Sequence, residues 1–175
     1  GTLSYVDRSG RDPNASIPWA CGTRYPAKNI RINNITCDGS HGLTIGSEMS
    51  GGVENVSFTN INIRNSGPSV RIKSQCGRRA YIRNVLYENI TADEVANAVW
   101  IDMMYFSKVS TCTPSEVSTF ENITVRNLFV DHITGNGAAF EIVGESHALT
   151  DRSTVLIDCL LCAALLFEDV FLSFY

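Results

Sequence analysis

Charge and long apolar runs are both scarce in these 175 residues. Charged residues make up 18% of the chain and hydrophobic ones 44%, a balance that excludes disorder and suits a domain with a real core. No apolar run approaches the roughly 20 residues that span a bilayer as a helix. The longest, around Cys159–Phe167, ends at Glu168 and Asp169. The basic surplus that nucleic-acid binding needs is also missing, since the net charge is −4. Neither a membrane nor a nucleic acid is an expected partner. The chain starts at Gly1 with no initiator Met and no basic-plus-apolar leader, so it reads as a mature form or a fragment.

Cysteine, by contrast, is plentiful. Six are present (Cys21, Cys37, Cys76, Cys112, Cys159, Cys162), and Cys159-x-x-Cys162 lacks the second ligand pair of a zinc site. Disulfides in a secreted, extracellular protein are the better expectation. Sequons at Asn14, Asn34, Asn55, Asn89 and Asn122 fit that compartment. Four of the five arise inside a repeat, so their weight is small.

That repeat is the phrase N-Φ-x-Φ-x-N-Φ, with Φ apolar. It begins at Asn29, Asn55, Asn84 and Asn122, with a weaker copy from Ser153 to Cys159. The periods are 26, 29, 38 and 31 residues. Each copy is followed by a second short apolar stretch, at Gly42–Gly46, Ser69–Lys73, Ala98–Asp102, Ala138–Ile142 and Ala164–Glu168. The alternation has period two, as in strands, and turns rich in Asn, Gly, Ser and Asp separate the stretches. Two strands per repeat of this length describe one coil of a parallel β-helix. The expected fold is all-β, a right-handed parallel β-helix (solenoid) of about five coils. Residues 1–175 read as a single domain, a partial one truncated on its N-terminal side.

Asparagine tolerates the left-handed backbone of a sharp turn. Stacked coil on coil, Asn34, Asn60, Asn89 and Asn127 should form an amide ladder closed by Asp158. In that ladder Asn34 and Asn89 would be buried and closed to glycosylation. The opened N-terminal end of such a stack exposes unpaired strand edges, so the isolated chain is expected to associate and dissolve poorly.

Five cations, Arg71, Lys73, Arg78, Arg79 and Arg83, fall within thirteen positions. They suit an anionic ligand at one spot, or equally a solvated face. In Val70-Arg71-Ile72-Lys73 the apolar residues should point inward, leaving Arg71 and Lys73 outside, roughly 7 Å apart. A forked guanidinium beside an ammonium suits a carboxylate. Pairing this strand with the preceding one sets Leu43 over Val70 and Ile45 over Ile72. His41 then lies near the strand start, one rung below the cations. Strict alternation turns His41 inward as a structural residue, but Gly42 can break the alternation there.

Three segments together resemble glycoside hydrolase family 28, the polygalacturonases. They are Cys37 with Ser40-His41-Gly42-Leu43-Thr44-Ile45-Gly46-Ser47, then Val70-Arg71-Ile72-Lys73, then Trp100-Ile-Asp-Met-Met-Tyr105. The resemblance runs from about Ser9 to Phe140. It implies hydrolysis of α-1,4 bonds between galacturonate units with inversion. His41 would assist near the catalytic carboxylates, Arg71 and Lys73 would hold the substrate carboxylate, and Tyr105 would contact the sugar ring. The implied partner is pectin or oligogalacturonate, bound by a monomer, with no metal and no other cofactor.

The acid and base of an inverting glycosidase come, in this family, from N-T-D and D-D motifs upstream of the histidine. No N-T-D or D-D occurs here, and the register of the pair falls at Thr2-Leu3. The usual cysteine there becomes Ser4, leaving Cys21 as a substitute partner for Cys37. Asp7 and Asp12 are nearby but out of register. The chain alone is therefore expected to be inactive. A non-catalytic pectin-binding solenoid is the competing expectation, and a bare structural solenoid the third.

Overall fold

The computed structural model describes residues 25–49, 51–105, 113, 116–134, 139–144, 155–158 and 170–174. These form ten strands and no helix. In chain order they are β1 (Ala27–Asp38), β2 (Leu43–Ile45), β3 (Val53–Ser66), β4 (Val70–Lys73) and β5 (Tyr81–Val95). There follow β6 (Val99–Asp102), β7 (Thr119–Val130), β8 (Phe140–Gly144), β9 (Val155–Asp158) and β10 (Val170–Phe174). Odd-numbered strands make one five-stranded sheet in the order β1-β3-β5-β7-β9. Even-numbered strands make the other, in the order β2-β4-β6-β8-β10. Every pairing is parallel. The fold is a parallel β-helix, as the repeat predicted.

Asparagine bends the long strands. In β3 the buried positions are Val53, Val56, Phe58, Ile61, Ile63 and Ser66, steps of three and two rather than two throughout. The extra residue in each step of three is Asn55, Asn60 or Asn65, each at positive φ (56°, 56° and 47°). A left-handed residue takes up one position and turns the chain, so the next residue again faces the core. The same device recurs in β5 at Asn84, Asn89 and Glu94, and in β7 at Asn122 and Asn127. Asparagine serves because a left-handed backbone is costly for most other side chains.

The stacked corners form two amide ladders. Asn89 donates to Asn60 at 3.1 Å and Asn127 donates to Asn89 at 3.0 Å. The acceptor below Asn60 is Asn33 (2.8 Å), not the expected Asn34. A second ladder, absent from the sequence expectation, runs Asn122, Asn84, Asn55, Asn29 at 2.9, 3.1 and 3.2 Å. Both ladders lie on the outside, and Asn34 and Asn89 are exposed. The expectation that these two amides are buried is overturned, because the left-handed corner directs them away from the core. Asp158, expected to close the ladder, stands in register with Arg126 rather than with Asn127. Matching Val155 and Ile157 to Ile123 and Val125 sets that register.

One of the short strands is also displaced. β8 pairs Phe140 and Ile142 with Val99 and Ile101, which aligns apolar with apolar, and it runs to Gly144, past the expected stretch Ala138–Ile142. The fifth short strand is Val170–Phe174; Ala164–Glu168 lies outside the described residues.

Parallel register stacks like on like. Ile32, Phe58, Tyr87 and Val125 form one column, with the Phe58 and Tyr87 rings 4.8 Å apart and 3° from parallel. Tyr87 is fully buried and its hydroxyl has no hydrogen-bond partner among the described residues. Burial pushes its phenol far above the usual tyrosine range. Tyr87→Phe keeps the stack and removes an unsatisfied group, so urea denaturation should show a gain of about 1 kcal/mol. A loss would mean that the hydroxyl is satisfied in solution.

Cys37 is a free thiol among the described residues, and Cys21, its suggested partner, lies outside them. Cys76 is disulfide-bonded.

Candidate functional site

β4 lies between β2 and β6 in the short-strand sheet. Val70 and Ile72 are fully buried, which turns Arg71 and Lys73 to the outer wall. The expected register holds, with Leu43 opposite Val70 and Ile45 opposite Ile72. Thr44 flanks Arg71 on one side and Trp100 on the other, and Asp102 stands beside Lys73.

Two glycines shape the approach to this wall. A Cβ on Gly42 (φ +76°) would meet the Pro68 carbonyl oxygen, and one on Gly46 (φ +89°) would meet that of Lys73, both under 2 Å away. Any side chain at residue 46 would therefore push the Lys73 backbone out of place.

The basic cluster separates into two kinds. Arg79 pairs with Glu116 at 3.6 Å, Arg83 pairs with Glu54, and Arg78 donates to Gln75 at 3.1 Å. Of these three Arg83 is exposed, as the solvated-face reading expects, while Arg78 and Arg79 are half-buried. Arg71 and Lys73 make no ion pair among the described residues. Arg71 is only 9% exposed, yet its Nε has no hydrogen-bond partner there. What surrounds it is aromatic. Its guanidinium carbon lies 4.2 Å from the Trp100 ring centroid and 5.3 Å from that of Tyr105. The Lys73 ammonium lies 4.6 Å from the Tyr105 centroid. Trp100 and Tyr105 meet edge to face at 5.9 Å.

Burial, and next the neighbouring Arg71 charge, pull the Lys73 pKa below the usual lysine value, and Glu48 partly offsets them. Asp102 is pushed above the usual carboxylate range, first by burial and also by Glu141. A hydrogen bond from the Met104 amide (2.8 Å) and the Arg71 charge oppose the shift. A buried, unpaired guanidinium is costly unless something anionic visits it.

The structure thus brings Arg71, Lys73 and Tyr105 together. Among the described residues His41 makes no hydrogen bond, ion pair or ring contact with them. It is exposed, just before β2, with the positive-φ Gly42 releasing it from the strand alternation. Its carbonyl accepts from Thr44 Oγ1 at 2.9 Å, and its imidazole has no hydrogen-bond partner among the described residues. Trp100 was missed by the sequence reading as a separate site residue. Alternation between Val99 and Ile101 would have placed it outside, one rung from Arg71. Thr2-Leu3, Asp7, Asp12 and Cys21 lie outside the described residues.

One metal-capable group occurs among the described residues: Asp93, Asp131 and His132, with ligand atoms within 4.8 Å of one another. It is on the surface, and His132 Nδ1 already bonds Asp93 at 2.8 Å.

Fold and wall together define the class, a parallel β-helix that presents on its flank two cations with no ion pair among the described residues. Comparison with known families gives the rest. Residues 20–148 match the model described as Glycosyl hydrolases family 28, and the chain belongs to that family. It is 36% identical over 111 residues to probable endopolygalacturonase D of Neosartorya fischeri. It is 30% identical over 116 residues to polygalacturonase-2 of Solanum lycopersicum, and 29% over 157 to endo-polygalacturonase of Pectobacterium parmentieri. These alignments cover 61%, 64% and 87% of this chain, but only 22%, 24% and 38% of the relatives.

Proposed function

We propose that the β4 wall binds galacturonate units of pectin, and that the chain is part of an extracellular, monomeric enzyme that hydrolyses α-1,4-galacturonosyl bonds with inversion. Arg71 and Lys73 hold the sugar carboxylate, Tyr105 contacts the ring, and His41 assists near the hydrolytic carboxylates. The observation that carries this reading is the covered Arg71 guanidinium with no ion-pair partner among the described residues, two positions from Lys73, which has none there either. Membership of family 28 supports the substrate class. The sequons and the Cys76 disulfide support an oxidising, extracellular setting.

The 175 residues hold neither N-T-D nor adjacent aspartates. Without an acid–base pair, each member of which typically contributes about 10²–10⁴-fold, they should not release reducing sugar on their own. That absence also favours a second reading, a pectin-binding solenoid without catalysis. Co-sedimentation with polygalacturonate, run beside a reducing-sugar assay, tests both. Retention without sugar release is expected; no retention would overturn the binding site, and rapid release would overturn the inactive chain.

Binding should also show a pH window. It should rise as the sugar carboxylate ionises, then fall as pH climbs through the Lys73 pKa, earlier than for an ordinary lysine. Lys73→Arg, which stays protonated, should remove the alkaline limb in a calorimetric titration. An unchanged limb would exclude Lys73 as its source.

A further inference from the structure

Buried cations are ordinarily neutralised by a carboxylate. Arg71 is nine-tenths covered, and among the described residues two aromatic rings lie against it while no acid forms an ion pair with it. Trp100, in register on β6, presents its ring 4.2 Å from the guanidinium carbon. Tyr105 supports both Trp100 and the Lys73 ammonium. The next outward position along this column is Glu141, which accepts from Asn97 Nδ2 at 3.5 Å.

An aromatic face offers a cation negative potential without occupying its N–H groups as a carboxylate would. The charge is tolerated in a covered position, and its donors stay available. An acid in place of the indole would satisfy Arg71 from within and close the site. Trp100 also contributes a second buried donor, its Nε1, with no partner among the described residues.

We propose that Trp100 is a positioning and specificity-determining residue. It holds Arg71 covered but unpaired, so that the wall prefers the ionised sugar acid to its methyl ester. This rests on the carboxylate-binding reading of the same site.

Calorimetric titration with trigalacturonate and with its methyl ester separates the two ideas. Trp100→Phe keeps an aromatic face and should bind the acid within about threefold of the native chain, whereas Trp100→Leu should bind it about tenfold more weakly. Ester binding should be the same in both, so the acid-to-ester ratio falls only for leucine. Trp100→Glu should lose acid binding altogether. An unchanged ratio in Trp100→Leu overturns the role of Trp100. A native chain that binds neither probe overturns the carboxylate reading itself. Should the leucine variant fail to fold, Trp19→Phe leaves Trp100 as the sole indole. Its emission should then shift with the acid and not with the ester, and heat of binding without a shift contradicts the proposal.

Discussion

Replacing Arg71 and Lys73 together by alanine should weaken trigalacturonate binding by at least about a hundredfold. A hydrogen bond to a charged group contributes roughly 1.5–3 kcal/mol, and the pair supplies two such groups. Stability should hardly move, because neither side chain has an ion pair to lose among the described residues and β4 is anchored by Val70 and Ile72. Only the ring contacts with Trp100 and Tyr105 disappear, about 1 kcal/mol on this partly covered wall. Calorimetry beside urea denaturation reads both quantities. Retained affinity would show that the cations do not face the ligand, and collapse of the fold would show that they are structural.

The largest stability effect is expected at a corner of the exposed ladder. Asn89 combines a φ of 54° with one amide bond to Asn60 and one from Asn127. Asn89→Ala should cost about 3 kcal/mol, the left-handed backbone and the two lost bonds contributing comparably. Asn89→Gly removes the same bonds but accepts positive φ, so about 1.5 kcal/mol is expected. A clear gap between the two variants separates backbone from amide. Equal losses would mean that the corner conformation contributes nothing.

Period-two alternation made the architecture legible, because parallel coils stack equivalent residues and repeat the pattern. Leu43 over Val70 and Ile45 over Ile72 follow directly from it. The strong corner residue was legible too, since asparagine is the side chain that tolerates a left-handed turn. Its direction was not, because the turn itself cancels the alternation used to assign inside and outside. Asp158 was placed one residue out of register because the fifth repeat has no asparagine to mark a corner. Around the site, Arg71 and Lys73 were readable as outward cations, but not as covered ones. That cover comes from β6 and Tyr105, which meet β4 only through the coil stacking. Alternation between Val99 and Ile101 turns Trp100 outward, but its contact with Arg71 depends on the same coil stacking.

A crystal of the chain soaked with trigalacturonate tests the central claim most directly. A galacturonate carboxylate should lie within hydrogen-bond distance of both the Arg71 guanidinium and the Lys73 ammonium, with a sugar ring against Tyr105. An oligomer bound elsewhere, or held on β4 with its carboxylates turned to solvent, would contradict the account.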